Sequence, residues 1–362
     1  MCRNCFVDYV QGKAGKRLGA LARDTRTSAR PAPRKYVAGL SFGPSSTAMA
    51  SVLDASARFH TSRKASPAFD AVLVHVDTNL SQNSPAENAP AQERLARFRE
   101  RFPNLSFEYV PLSRVLGAKC MNWPALVGVE AIGSGDGEQA RLLQGFLDSL
   151  PSTTSRADMT RLLVRNLLLD MALERSSSAL LLGHSTTALA SLTLSEVANG
   201  RGFTIPWQVN DGLYKFCLYE QASDPSLRPE PTWVEMPIYY PLREVFRNEI
   251  MLYLDLAPVL RDLVCDDDAA ASSIVSHKDL SLEEVIRKYF DSVEGPYSGI
   301  VANVVRTTGK LDRATAHIGC EICGVALDEQ GDSRWAGELG DSVTTRDGSA
   351  RLCYGCKRTV NG

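Results

Sequence analysis

The chain has 362 residues, 44% of them hydrophobic and 23% charged, which suits one large globular domain with an appendage, or two domains. The formal net charge of −2 excludes a polycation, and apolar runs such as Ala179–Leu182 are far too short to span a bilayer. The N-terminus carries no apolar signal core, so a soluble, non-secreted, cytoplasmic protein is expected.

Residues 1–35 show little apolar periodicity after Tyr9 and end in the linker signal Arg30-Pro31-Ala32-Pro33. Between Lys13 and Lys35 they hold eight basic residues, among them Lys16, Arg17 and Arg34, against the single acid Asp24. Such a run suits either a phosphate-contacting arm or a solvated flexible linker. A compact alternation follows. Tyr36–Leu40 predicts a strand, Thr47–Phe59 a helix, Ala71–Val76 a strand covered on both faces, Asn79–Pro90 a loop, Ala91–Phe102 a helix and Ser106–Pro111 a third strand. Residues 112–155, rich in Gly and Ser, read as an insertion. Arg156–Ser176 predicts an amphipathic helix, Ala179–Leu182 a fourth strand, Thr186–Asn199 a helix, Met236–Tyr240 an edge strand and Leu242–Leu256 a helix opened by Pro241. Asp266–Ser273 reads as a surface loop. Short apolar strands alternating with helices argue an α/β fold with a doubly wound, mostly parallel sheet over 36–314, and 315–362 as a separate Cys- and Gly-rich module.

The nine cysteines include three Cys-x-x-Cys pairs, a pattern of metal ligation rather than of a disulfide framework. Cys320/Cys323 and Cys353/Cys356 lie 29 residues apart and can close a tetrahedral four-thiolate zinc site, with Asp328–Asp332 in an intervening loop. Four thiolates leave no open position, so that zinc would be structural. Cys2/Cys5 form a single knuckle, which cannot complete a site alone; metal there stays open. The isolated Cys120, Cys217 and Cys265 read as core residues. The turn Ser41-Phe42-Gly43-Pro44-Ser45-Ser46 joins the first strand to a helix, where α/β folds bind phosphates, although a plain connection has the same composition. Gly183-His184-Ser185 ends the fourth strand at the same ligand edge, where His184 is either a functional group or a hydrogen-bonded structural histidine.

In this order, these motifs resemble the PP-loop, or ATP pyrophosphatase, group. The Cys2-Arg3-Asn4-Cys5-Phe6 start, the helix from Thr160-Arg161-Leu162-Leu163, Gly183-His184-Ser185, Pro241-Leu242-Arg243-Glu244-Val245 and Leu352-Cys353-Tyr354-Gly355-Cys356 resemble the cytoplasmic tRNA 2-thiolation protein 2 family. The resemblance implies an adenine nucleotide alpha hydrolase-like fold. It also implies that Ser41, Gly43, Ser45 and Ser46 are a nucleotide-loop remnant, and Gly183 and His184 a second-site remnant. The departures are telling. Catalytic relatives carry glycine where Phe42 stands, an acidic loop residue at Ser45, two aspartates at Thr187 and Ala188, and a Cys-x-x-Cys at Ser152-Thr153-Thr154-Ser155. The family's N-terminal finger normally has a second knuckle upstream of Cys2/Cys5.

What the resemblance implies is a non-catalytic subunit paired as a heterodimer with a catalytic PP-loop subunit. That complex thiolates the wobble uridine of tRNAs with ATP and sulfur from a thiocarboxylated ubiquitin-related modifier. Lys13, Lys16, Arg17, Arg34 and Lys35 would contact tRNA, structural zinc would be the cofactor, ATP is doubtful on this subunit, and no membrane partner is expected. The alternatives are an autonomous ATP-dependent enzyme and a zinc-dependent interaction scaffold.

Overall fold

The structure is a computed structural model that describes residues 2–26, 33–64, 68–80, 89–123, 126, 136–219, 231–265, 280–313, 319–327 and 351–362. Its strands are β1 (Arg34–Gly39), β2 (Phe69–Asp77), β3 (Ser106–Pro111), β4 (Ala179–Leu181), β5 (Gly212–Tyr219) and β6 (Pro231–Tyr239). They form one sheet in the order β3-β2-β1-β4-β6-β5. All neighbours are parallel except the β5–β6 pair. The doubly wound, mostly parallel sheet expected from the alternation is therefore what the chain builds.

Side chains of alternate strand residues point to opposite faces. Tyr36, Ala38, Ala71, Leu73, Ala179 and Leu181 enter one core. With them pack α1 (Arg3–Asp24), α2 (Pro44–Lys64), α3 (Ala89–Arg101) and α8 (Arg247–Asp255). Val37, Val74, Leu180 and Leu182 enter the other core. It is covered by α4 (Asp136–Asp148), α5 (Thr153–Glu174), α6 (Thr186–Ala198), α7 (Ile205–Val209) and α9 (Leu282–Thr308). The four C-terminal cysteines and α10 (Tyr354–Asn361) join this second face, so the cysteine segment and the sheet share one apolar cluster.

Several expectations are corrected. Residues 3–24 are not an arm without period: Val10, Ala14, Leu18 and Leu21 form a buried stripe at helical spacing. Met236–Tyr240 belongs to an interior strand, because β5 pairs antiparallel outside it and takes the edge. The helix expected from Leu242 starts only at Arg247, after a turn in which Val245 N–H donates to Leu242 O. The stretch treated as an insertion contains α4 and a 3-10 helix, Leu112–Gly117. The long helix α9, kinked at Tyr297 after Pro296, had no counterpart in the sequence reading. Asp266–Ser273, Asp328–Asp332, Arg30–Ala32 and most of Asn79–Pro90 lie outside the described residues.

A buried ion cluster ties the second face together. Arg201, fully buried, pairs with Asp158 of α5 and with Glu196 of α6, the latter at 2.9 Å. Arg161 pairs with Asp158 (2.9 Å), Glu196 and, from α9, Glu283 (2.8 Å). Thr359 of α10 donates its hydroxyl to Asp158 at 2.8 Å. Burial opposes the charge of Asp158 and Glu196, but the two guanidiniums outweigh it and hold both carboxyls below their usual range. Folded pKa values below the unfolded ones give stability that is present at neutral pH and is lost as pH falls below about 4. Arg201→Met strands buried carboxylates and is expected to cost about 3–5 kcal/mol. Urea midpoints of variant and wild type, at neutral and acidic pH, check both the size and the sign.

Candidate functional site

The strand order reverses between β1 and β4, the point where open α/β sheets bind ligands outside the carboxyl ends of their strands. The turn after β1 and the turn after β4 meet there. A Cβ on Gly183 would stand 3.2 Å from Ser46 Cα and 3.3 Å from Ser45 O, tighter than an ordinary contact, so glycine lets the two turns pack this closely without displacement.

The β1–α2 turn is closed on itself. Ser46 Oγ accepts from Ser41 N–H (3.3 Å), lies 3.2 Å from Ser41 Oγ and donates to Gly43 O (3.1 Å). Gly43 N–H reaches Ser41 Oγ at 3.4 Å. These groups, which in a phosphate loop would face an anion, are used on one another. Phe42 sits in the left-handed region, φ 61°, a conformation that costs a non-glycine residue roughly 1 kcal/mol. Its ring is 3% exposed and stacks on His75, with centroids 4.0 Å apart. His75 Nδ1 bonds Leu40 O at 2.9 Å, and burial pulls the imidazole below its ordinary pKa, so it stays a neutral packing partner.

On the β4 side a cleft of about 230 Å³ is lined by Ser45, Arg161, His184, Ser191, Arg247 and Phe290, among others. His184 lies edge-on to Tyr240 at 5.4 Å, and its Nδ1 is buried without a partner among the described residues. Burial, aided by Arg165 and Arg161, pushes the imidazole down to about 4. It is neutral at pH 7. Thr187, at the start of α6, donates its hydroxyl to Glu294 of α9. The other Glu294 oxygen accepts from Asn248 N–H (2.7 Å) at the start of α8. The carboxylate thus occupies the positive end of that helix from inside. Sequence reading missed Glu294; no motif marks it, since it stands 107 residues from Thr187. At Ser152–Ser155 the serines cap α5, Ser152 Oγ accepting from Ser155 N–H at 3.0 Å.

The four C-terminal cysteines converge. Cys320, Cys323, Cys353 and Cys356 are all buried, with sulfurs within 4.8 Å of one another. A tetrahedral Zn–S bond near 2.3 Å puts sulfurs about 3.8 Å apart; the Cys323–Cys353 separation is 3.9 Å. Cys353 N–H points at Cys320 Sγ and Cys356 N–H at Cys353 Sγ, both at 3.4 Å, the hydrogen bonds of a thiolate knuckle. Gly324, φ +70°, turns the first knuckle against Phe216. The surrounding chain is held by Asn166 Nδ2 to Ile322 O (2.7 Å) and by Tyr214 OH to Cys323 O (3.1 Å). The donor set fits one soft, four-coordinate ion. Cys2 and Cys5 are exposed, their sulfurs 3.1 Å apart, and Cys2 caps α1. Among the described residues no further ligating side chain joins them. Cys120 and Cys217 are buried and Cys265 is half-buried.

The basic residues do not form a free arm. Lys13 reaches Glu244 O (2.9 Å) and Glu249 (3.5 Å). Arg17 pairs with Asp211 and Glu244, and Arg34 donates to Ala22 O at 2.6 Å. Lys16 and Lys35 are exposed.

A family model described as cytoplasmic tRNA 2-thiolation protein 2 matches residues 281–346. Across nearly the whole length, the chain is 32% identical to the cytoplasmic tRNA 2-thiolation protein 2 of Phaeosphaeria nodorum, covering 99% of this chain and 90% of the relative. This chain belongs to the cytoplasmic tRNA 2-thiolation protein 2 family. The relative of the same name from Sclerotinia sclerotiorum is 31% identical, over 84% of this chain and 76% of its own. Among solved structures, a U34-tRNA thiolase from Methanococcus maripaludis with its 4Fe-4S cluster matches with a TM-score of 0.51, covering 90% of this chain and 85% of that one. At 15% identity it shares the fold. The family resemblance read from the motifs is thus borne out, and so is the PP-loop type of fold. In this family member the stretch that the family model matches carries α9 from its first residue, Glu294, and the first cysteine knuckle.

Two outcomes are expected. Purified under reducing conditions, the protein binds one zinc per chain at the C-terminal cysteines. Removing it with a strong chelator, or replacing Cys353 by Ser, lowers the thermal midpoint, read by metal analysis and calorimetry. The His184 imidazole resists protonation until about pH 4. Since its folded pKa lies below its unfolded value, stability from this site declines as pH falls from 6.5 towards 4. A midpoint near 6.5 by NMR titration would contradict its burial.

Proposed function

We propose that this chain is a non-catalytic subunit of a heteromeric complex that 2-thiolates the wobble uridine of cytosolic tRNAs. It pairs with a catalytic PP-loop subunit, supports that partner and extends the tRNA-binding surface. The sulfur comes from a thiocarboxylated ubiquitin-related modifier bound by the complex, and the place of action is the cytoplasm. Residues 1–35 and 36–314 supply the basic and α/β parts of the surface, and 315–362 supply the zinc module.

The observation that carries this reading is the state of the ligand edge. Phosphate transfer needs backbone N–H groups free to approach a pyrophosphate and carboxylates to hold Mg²⁺. Here Phe42 fills the core behind the turn, and Ser41, Gly43 and Ser46 bond one another. Thr187 is turned to an internal carboxylate. At Ser152–Ser155 hydroxyls stand where catalytic thiolating relatives have thiolates, and a hydroxyl cannot carry sulfur or ligate a cluster. Each change alone would weaken catalysis; together they remove the nucleotide, the metal and the sulfur carrier. Structural zinc at the four cysteines holds the C-terminal segment against α5 and α6, and Lys16 and Lys35 remain available to RNA phosphates.

The test is a thiolation assay with ATP and a sulfur donor on this chain alone, the catalytic subunit alone and both together. Thiolation is expected only with the catalytic subunit and is raised by adding this chain. The isolated chain shows no ATP–pyrophosphate exchange. Thiolation by this chain alone, or exchange abolished by Ser46→Ala, would favour an autonomous enzyme and overturn the proposal.

A further inference from the structure

The motif Pro241-Leu242-Arg243-Glu244-Val245 has no role in the reading above, yet it reaches a second concave site. Beside the start of β5 lies an open pocket of about 480 Å³, lined by Arg17, Asn210, Asp211, Arg243, Asp312 and Arg313, among others. Its three guanidiniums come from three separate parts of the chain: α1, the turn after β6 and the segment after α9. The pocket lies on the carboxyl edge of the sheet, because Arg243 follows the end of β6, which runs parallel to β4. The same turn touches the start of α6, Thr186 donating its hydroxyl to Arg243 O at 2.8 Å. Pocket and degenerate phosphate turn therefore share one edge.

The arginines are held rather than loose. Arg313 donates to Pro206 O (3.2 Å), Asn210 O (3.1 Å), Asp211 O (3.0 Å) and Leu213 O (2.6 Å). Its guanidinium lies 5.1 Å from the centre of the Trp207 ring, and Gly212, φ +118°, lets the backbone pass beside it. Arg243 donates to Val209 O and to Asn210 Oδ1 (3.0 Å). The hydrogen-bond partners of both side chains among the described residues are neutral, so their charges stand; Arg313 spends four of its five N–H groups on carbonyls and contributes mainly charge, whereas Arg243 spends two and keeps the rest for a ligand. The acids nearby are otherwise engaged or at the rim. Asp211 takes Tyr240 N–H (2.8 Å) and pairs with Arg17, Glu244 also pairs with Arg17, and Asp312 is exposed. Burial, and for each a neighbouring guanidinium, lowers Arg243 and Arg313 from the ordinary guanidinium range, and both keep their charge.

We infer that Arg243 and Arg313, with Arg17 at the margin, form a pre-oriented pocket for a backbone phosphate of RNA. The inference rests on the tRNA-binding role proposed above and gives it a place. Guanidinium forks suit the two free oxygens of a phosphodiester, and fixing them beforehand lowers the ordering cost of binding. An open pocket of this size admits a phosphate with its flanking ribose, whereas a buried one would not. A purely structural role, capping the carbonyls at the end of α7, predicts a loss of stability and no change in salt response.

The experiment measures binding of a fluorescent tRNA transcript across a series of KCl concentrations. It uses the full chain, alone and with its catalytic partner, and the Arg243→Gln, Arg243→Lys and Arg17→Gln variants, with thermal midpoints recorded in parallel. Each Gln variant is expected to lower the slope of log K against log salt by about 1, the loss of one phosphate contact. Arg243→Lys keeps the slope and loses part of the affinity. Wild-type binding with unchanged slopes in the variants overturns the pocket and leaves the tRNA reading standing. No wild-type binding overturns both. Binding of inorganic pyrophosphate without tRNA competition would assign the pocket to a small anion and overturn the RNA assignment. Should Arg243→Gln fail to fold, phenylglyoxal labelling of the wild type decides: tRNA is expected to protect Arg243 and Arg17, and equal labelling overturns the proposal.

Discussion

The pairing of Arg201 and Arg161 with Asp158, Glu196 and Glu283 is the constraint on which the rest of the second face depends. Desolvating that many charges is favourable only if every one keeps its partners. The partners sit on α5, α6 and α9 and on the segment between α6 and α7, so these elements have little freedom to shift singly. The cluster reaches α10 through Thr359, which takes part in the same carboxylate network three residues after Cys356 of the four-cysteine cluster. A metal at the four cysteines would fix the start of α10, and α10 completes the hydrogen bonding of Asp158. Gly355 fits this junction because a Cβ there would come within 2.3 Å of the Arg201 side chain.

At the ligand edge the two turns are filled with the protein's own groups. Phe42 stacks on His75, the hydroxyls of Ser41 and Ser46 meet, and Glu294 takes the positive end of α8. An internal carboxylate at that spot also repels an external one. The edge is well ordered because its polar groups are satisfied from inside.

Much of this could be read in the sequence where the signal was local. The middle of β2, Ala71–Val76, is a near-continuous apolar run, so its placement followed from burial on both faces. The cysteine pairs carried their chemistry in their spacing. Elements whose signal was diluted or non-local escaped. The stripe of α1 is interrupted by Gly12, Gly15, Gly19 and a run of cations, and it becomes legible only when α8 lies across it. Pro296 breaks the pattern of α9 in the middle, although the chain accommodates it with a kink. Strand order could not be inferred for β5 and β6, since an antiparallel return leaves no mark on either strand alone. Arg201, Glu294 and Arg313 matter through partners tens to hundreds of residues away. The five basic residues chosen from composition divide accordingly: burial of the α1 stripe turns Lys13 and Arg17 towards acids on the body, and leaves Lys16 outside.

Phe42 has a consequence for how this fold can change over time. Its left-handed backbone is strained by roughly 1 kcal/mol, which glycine would relieve. Its ring, packed between His75 and Phe98, supplies about 3–5 kcal/mol that glycine would forfeit. Glycine at this one position therefore destabilises the protein on balance. The ligand edge and the core therefore cannot be varied independently at this position: the residue that shapes the turn is also part of what keeps the chain folded.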